Sequence, residues 1–190
     1  MDKATKQGVP KSLFVLIIVI LAGMFYYAAY VDKSAPEKVV QDFYQAYFDR
    51  DFETVASNLS VFWAAQLMPQ YSTLTPAQLL EKRDEVEKDI ATTISAMEEN
   101  NKIPKNLSIE IMKDYTKLGK NSAIVAYSFK QDGKSAGMEA AILIKEKGQL
   151  RIFNLSPINE QNLQQIKTLD IKTLDKNFAQ LTGSKSDSTK

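Results

Sequence analysis

The chain has 190 residues, with 24 lysines and arginines against 23 aspartates and glutamates, and it contains neither histidine nor cysteine. The balanced charge gives no indication of nucleic acid as a partner. The missing residue types exclude disulfides, thiolate nucleophiles, histidine-assisted serine triads and ordinary zinc sites, so we expect no metal or other cofactor.

An apolar run over residues 13–31 dominates the N-terminal region. As a helix, a run of about 19 residues spans roughly 30 Å, the thickness of the hydrocarbon core of a bilayer. Lysines outnumber acidic residues before it, so the positive-inside rule keeps residues 1–12 in the cytoplasm. We therefore expect a single-pass cell-membrane protein with an extracytoplasmic C-terminal part. The residues of the predicted anchor are Leu13, Phe14, Val15, Leu16, Ile17, Ile18, Val19, Ile20, Leu21, Tyr26, Tyr27 and Tyr30.

A cleaved signal peptide is the alternative interpretation of the same run. Cleavage after Ala29 would place the bulky Tyr27 at the third position back, and cleavage after Tyr30 would leave a bulky residue at the scissile bond. The run is also longer than the usual apolar region of about 7–15 residues. We favour an uncleaved signal anchor.

Helical signals fill the next part of the chain. Ser34 and Glu37 fit a capping box that opens an amphipathic helix with an aromatic face, and Asp51 is predicted to cap a second, shorter helix. Thr75 and Gln78 fit another capping box. It opens the longest soluble helix, over about residues 76–100.

From Leu107 the apolar period changes from about 3.6 to 2, which is typical of strands. Asp132-Gly133 predicts a tight hairpin. The fold class is therefore α+β, with helices packed on one face of a curved four-stranded antiparallel meander. A further amphipathic helix over 159–182 either packs back on the sheet, which we favour, or offers a partner surface, and residues 183–190 are expected to be disordered.

An aromatic helix from Pro36, a short helix opened by Asp51-Phe52-Glu53, more helix, and a meander ending near Asn154 together resemble the nuclear transport factor 2-like superfamily. The resemblance covers residues 36–157 of a domain assigned to 34–158. It implies a cone in which the curved sheet wraps the first helix and leaves a pocket at the open end. The long helix over 76–100 departs from the superfamily pattern and would cover or fill that pocket.

Three classes of function follow from these features. The first is an anchored, non-catalytic interaction domain of a cell-envelope assembly, with protein partners or a second copy of itself. The second is a binding module that holds an apolar or lipid-like molecule in a pocket lined by Tyr44, Tyr47, Trp63, Tyr127 and Phe129. The third, which we favour least, is an isomerase-like enzyme, with catalytic candidates Asp49, Tyr44, Tyr47, Tyr71, Tyr115 and Tyr127.

Each class predicts a different structural feature. An assembly subunit predicts an exposed apolar patch and a filled cone. A binding module predicts an empty apolar pocket. An enzyme predicts a desolvated carboxylate beside a tyrosine hydroxyl.

Overall fold

A computed structural model of the chain describes residues 19–22, which are helical, and residues 35–183. The chain divides into two compact units, and the second begins at Ala35 and contains every element named below. Within the described residues, no helix is both long enough and apolar enough to cross a membrane. Most of the predicted anchor, residues 13–18 and 23–31, lies outside the described residues, as do residues 1–12 and 184–190.

Within residues 35–183, five α-helices precede the sheet. They are α1 Pro36–Phe48, α2 Phe52–Asn58, α3 Phe62–Leu67, α4 Pro76–Glu81 and α5 Arg83–Glu98. The Asp51 carboxylate caps α2 by accepting from the Thr54 amide at 3.1 Å, and the Thr75–Gln78 capping box opens α4, as predicted. Ala35 occupies the N-cap position of α1 and offers no side-chain acceptor, and Ser34, where a capping box is predicted, lies outside the described residues.

The helix predicted over 76–100 is two helices, α4 and α5. The helical path breaks at Lys82, where φ is −84° and ψ is 16°. The apolar positions Leu79, Val86 and Ile90 keep helical spacing across the break, and for this reason the sequence pattern does not reveal it. The break lies directly before Arg83, whose side chain turns into the core.

The sheet is antiparallel throughout and has five strands, one more than predicted. They are β1 Leu107–Ile111, β2 Lys117–Leu118, β3 Ser122–Gln131, β4 Lys134–Glu146 and β5 Gln149–Pro157. The order is β1-β3-β4-β5, and the two-residue β2 pairs with the start of β3. Asp132 and Gly133 both adopt positive φ, as a tight hairpin turn between β3 and β4 requires.

Helices cover both faces of the sheet, so the prediction of helices on one face only is wrong. Along β3, Val125 and Tyr127 point into the main core beneath α1, whereas Ile124 and Ala126 point to the opposite side. There they pack against a C-terminal helix. The helix predicted over 159–182 packs back on the sheet as two helices, α6 Glu160–Thr168 and α7 Ile171–Thr182.

A carboxylate on α7 fastens this helix to the turn between β2 and β3. The Asp175 carboxylate accepts hydrogen bonds from the amides of Lys120 (2.7 Å) and Asn121 (2.9 Å) and from the Ser122 hydroxyl (2.6 Å). Gly119 permits this approach, because a Cβ at that position would stand 2.4 Å from both carboxylate oxygens. Burial opposes ionisation of Asp175, but these hydrogen bonds prevail and hold its pKa below the usual value.

Asp175→Asn should lower the free energy of unfolding at pH 7 by about 1.5–3 kcal/mol, because the charged acceptor is lost. Since the pKa of Asp175 is lowered in the folded state, its contribution is present above the unfolded pKa of 3.8 and is lost as the pH falls through the folded pKa. The gap between variant and wild type should therefore close in acid. Urea titrations of the full-length chain, followed by fluorescence of its single tryptophan, measure it. A gap that does not shrink at all as the pH is lowered below 3.8 would contradict the role of the charge.

A buried ion pair joins α5 to β4. The Glu146 side chain is fully buried and pairs with the Arg83 guanidinium, and it also accepts from the Ser60 hydroxyl. Arg83 donates as well to the carbonyl oxygens of Ser57 (3.4 Å) and Leu59 (3.3 Å) at the end of α2. One pair of charges thus connects three parts of the domain.

Glu146→Gln should destabilise the fold, because it removes the buried counter-ion of Arg83 and leaves that charge only the partly exposed Glu87 carboxylate at 3.1 Å. The loss should stay below the roughly 3–5 kcal/mol that a wholly unpaired buried charge costs. The double variant Glu146→Leu with Arg83→Met removes both charges and should recover much of that loss. Urea titration of the full-length chain measures both variants. If the double variant were less stable than Glu146→Gln, the attraction between the two charges would contribute more to stability than the cost of leaving one of them unpaired.

Candidate functional site

A cavity of about 490 Å³ lies between α1, β1 and the segment 101–104 that follows α5. Its walls are mostly apolar: four aromatic side chains of α1 and one of β3 form one part, and four aliphatic side chains form the rest. These residues are Phe43, Tyr44, Tyr47, Phe48, Phe129, Ile103, Pro104, Leu107 and Leu155. Three polar residues, Glu98, Asn101 and Lys102, complete the lining.

The aromatic wall follows from the spacing of rings on α1. Residues 43, 44, 47 and 48 lie at helical steps of three and four, so their side chains share one face. The rings of Phe43 and Tyr47 are stacked with centroids 6.5 Å apart, and Tyr44 meets Phe129 edge to face at 5.2 Å. These contacts hold the wall in place while leaving space beside it.

Three of the five residues predicted to line a pocket do so: Tyr44, Tyr47 and Phe129. Tyr127 is fully buried and lies behind the wall, with its ring centroid 5.1 Å from that of Tyr44. Trp63 lies elsewhere, on α3, where its indole N–H donates to the Ile152 carbonyl at 3.0 Å. Tyr127 and Trp63 therefore do not line this cavity.

Several lining residues were not predicted. Phe43 and Phe48 carried a usable signal, because they belong to the same aromatic face of α1 as Tyr44 and Tyr47. The segment 101–104 carried none, since it has no periodicity and reaches the cavity only through the fold.

Two tyrosine hydroxyls and one carboxyl group meet beside the cavity. The Tyr44 and Tyr127 hydroxyl oxygens lie 2.7 Å apart, and Glu139 Oε2 lies 2.9 Å from the first and 2.7 Å from the second. Glu139 stands directly opposite Tyr127 across the β3–β4 ladder. Burial is the main cause that raises the pKa of both phenols, so both remain protonated and act as donors.

The structure separates most of the catalytic candidates. Tyr44 and Tyr127 come together, but Tyr71 donates to Asp89 at 2.8 Å and Asp49 accepts from Gln45 at 2.8 Å. Tyr115 packs on the opposite face of the sheet. The carboxyl group that does join two tyrosines, Glu139, was not among the candidates, and it does not line the cavity.

The mouth of the cavity is polar. Glu98 accepts from the Asn101 side-chain amide at 3.1 Å and from the Tyr47 phenol, whose pKa burial and the nearby carboxylate raise. Arg50, at the C-terminal end of α1, donates to the carbonyl oxygens of Asn101 (3.0 Å) and Glu98 (2.6 Å). The segment that closes the cavity is thereby tied to α1.

A second cavity, of about 540 Å³, lies on the other face of the sheet near the turn 113–115. Glu110 and Lys130 form an ion pair of 2.9 Å in its wall, beside apolar side chains such as Met138. This mixture favours no single class of ligand. Among residues 19–22 and 35–183, no group of three or more acidic side chains could hold a metal ion.

Comparisons of the chain with protein-family models, with curated proteins and with solved structures give no match. The function must therefore be argued from the geometry of this chain alone.

Tyr127→Phe should lower the free energy of unfolding by about 1–2 kcal/mol, because it removes a buried donor to Glu139 while leaving the cavity walls unchanged. Tyr47→Phe is the matched control. Its hydroxyl lies at the mouth, where water replaces the lost hydrogen bond, so its loss should stay below about 0.5 kcal/mol. Urea titrations of both variants make the comparison, and equal losses would argue against the buried trio as a stabilising contact.

Proposed function

We propose that this chain is a membrane-anchored, extracytoplasmic binding module that holds an apolar small molecule in the cavity beside α1. The observation that carries the proposal is the cavity itself, with about 490 Å³ of space and walls that are mainly aromatic and aliphatic. Ligand sites typically have volumes of about 300–1,000 Å³ and apolar walls with a few polar groups. The three polar residues at the mouth fit that pattern.

The surface of the domain gives less support to a role as an assembly subunit. Its exposed large apolar residues, apart from the isolated helical segment 19–22, are Leu67, Met97, Leu118 and Leu169. Each belongs to a different part of the chain, and single exposed apolar residues are ordinary on protein surfaces. Among the described residues, the cavity inside the domain is therefore a better candidate binding site than its surface.

A non-catalytic role also agrees with the position of the carboxyl group. Glu139 approaches the Tyr44 hydroxyl, but both tyrosine hydroxyls of the trio already donate to it, and neither Glu139 nor Tyr127 lines the cavity. A general base must come within hydrogen-bond reach of its substrate. The trio is better explained as a polar support behind the aromatic wall.

We further propose that the domain is a cone of the nuclear transport factor 2-like type. The order of elements, the position of α1 beneath an antiparallel sheet and the cavity beside α1 support this proposal. α6 covers the second face of the sheet and is an addition to the cone that the resemblance implies. The apolar run 13–31 supports the membrane anchor, which would keep the cavity close to a bilayer.

Native mass spectrometry of the full-length chain, transferred to a non-ionic amphipol, tests the binding role. We expect a chain that carries one small molecule. Leu107→Trp places a larger side chain in the wall of the cavity. It should weaken binding at least tenfold, which corresponds to about 1.4 kcal/mol, and so lower the fraction of the chain that carries the small molecule.

The same substitution on the exposed β2 residue, Leu118→Trp, is the matched control and should leave binding unchanged. Stoichiometric protein subunits without any small molecule would overturn the proposal in favour of an assembly role.

A further inference from the structure

We infer that the ligand is a single-chain amphiphile with an anionic head group, and that Lys102 at the mouth of the cavity binds the head. This inference rests on the proposed binding function and adds the chemical class of the ligand. It depends on three observations: the apolar interior, the charges at the mouth, and the position of Lys102 among them.

The apolar interior of the cavity can accommodate only the apolar part of a ligand. Its polar lining residues are Glu98, Asn101 and Lys102, all in the last turn of α5 or directly after it. The hydroxyl of Tyr44 belongs to the buried trio and is already engaged by Tyr127 and Glu139. A ligand with one polar end at the mouth and an apolar chain inside matches this distribution.

The negative groups at the mouth are already engaged. The Glu98 carboxylate accepts from Asn101 and from Tyr47. The C-terminal end of α5 carries a partial negative charge, but the Arg50 guanidinium donates to two of the carbonyl oxygens at this end, those of Glu98 and Asn101, and offsets that charge.

Lys102 is the remaining charge at the mouth. Its side chain is exposed and lines the cavity, and it forms no ion pair with any residue in the described part of the chain. Of the two charged residues that line the cavity, Glu98 already accepts from neutral donors, so Lys102 is the one left to bind a charged group. Arg50 lies outside the lining and offsets the negative end of α5. The mouth therefore favours an anion over a neutral or cationic head.

The volume limits the apolar part to one chain. A space of about 490 Å³ lies in the lower half of the range for sites that hold one drug-sized molecule, which favours a single acyl chain over a two-chain lipid. A fatty-acid carboxylate and a lysophospholipid phosphate share the required chemistry, an anion on one alkyl chain.

The test is a competition in native mass spectrometry with the full-length chain in non-ionic amphipol. Dodecanoate, dodecanol and dodecyltrimethylammonium share one chain and differ in charge. We expect dodecanoate to bind about three- to fivefold more tightly than dodecanol, the factor that a partly exposed ion pair supplies, and dodecyltrimethylammonium to bind least. The preference should shrink as salt is added.

Two lysine variants provide the control. Lys102→Gln should abolish the preference for dodecanoate and leave the binding of dodecanol unchanged. Lys105→Gln removes an exposed lysine three residues further along that does not line the cavity, and it should keep the preference.

The outcomes separate the two proposals. If none of the three chains binds, the proposed binding function fails. If all bind equally, or if Lys102→Gln preserves the preference, only the inference about the head group is overturned. A lysophosphatidic acid arm then distinguishes the sources: tighter binding than dodecanoate assigns the head to a phosphate, and weaker binding assigns it to a carboxylate.

Discussion

The ion pair between Arg83 and Glu146 is the constraint on which the domain most depends. It is buried among α2, α5 and β4. Arg83 also pairs with Glu87 at 3.1 Å and donates to two carbonyl oxygens, and Glu146 also accepts from the Ser60 hydroxyl. A pair in this position contributes little net attraction, because desolvation offsets most of it. Its importance is geometric: arrangements that separate the two charges are far more costly, so the start of α5 has one position relative to the sheet.

The cavity lies at the other end of the helix that this pair positions. α5 begins at Arg83 and ends at Glu98, and the segment 101–104 that closes the cavity follows directly. Arg83 thus fixes the start of α5, and Arg50, which follows α1, binds carbonyl oxygens at the other end of α5. The two arginines together hold the aromatic wall and the polar mouth in place. An apolar lining alone would favour collapse of the space beside α1. The space persists because the contacts of Arg83 and Arg50, which lie outside the cavity, hold its walls apart.

The sequence predicted the elements better than the contacts between them. Hydrophobic periodicity and capping residues located α1, α2 and the antiparallel sheet, because these signals are local. The sequence could not place Glu139 opposite Tyr127. If the ladder continued regularly from the turn at Asp132, Tyr127 would pair with Met138 instead. A bulge between Phe129 and Lys130 shifts the ladder by one residue, and no local pattern encodes it. The break at Lys82 and the second helical layer likewise depend on tertiary partners.

The covering of the sheet by α6 has a consequence for biosynthesis. Ribosomes make the chain from its N-terminus, so all five strands emerge before Leu163 and Ile166, which shield Ile124 and Ala126. For that interval the nascent domain presents an uncovered apolar sheet face, to which other chains can bind by hydrophobic contact. The nascent domain is therefore most prone to aggregate in the interval after the sheet has formed and before α6 covers it.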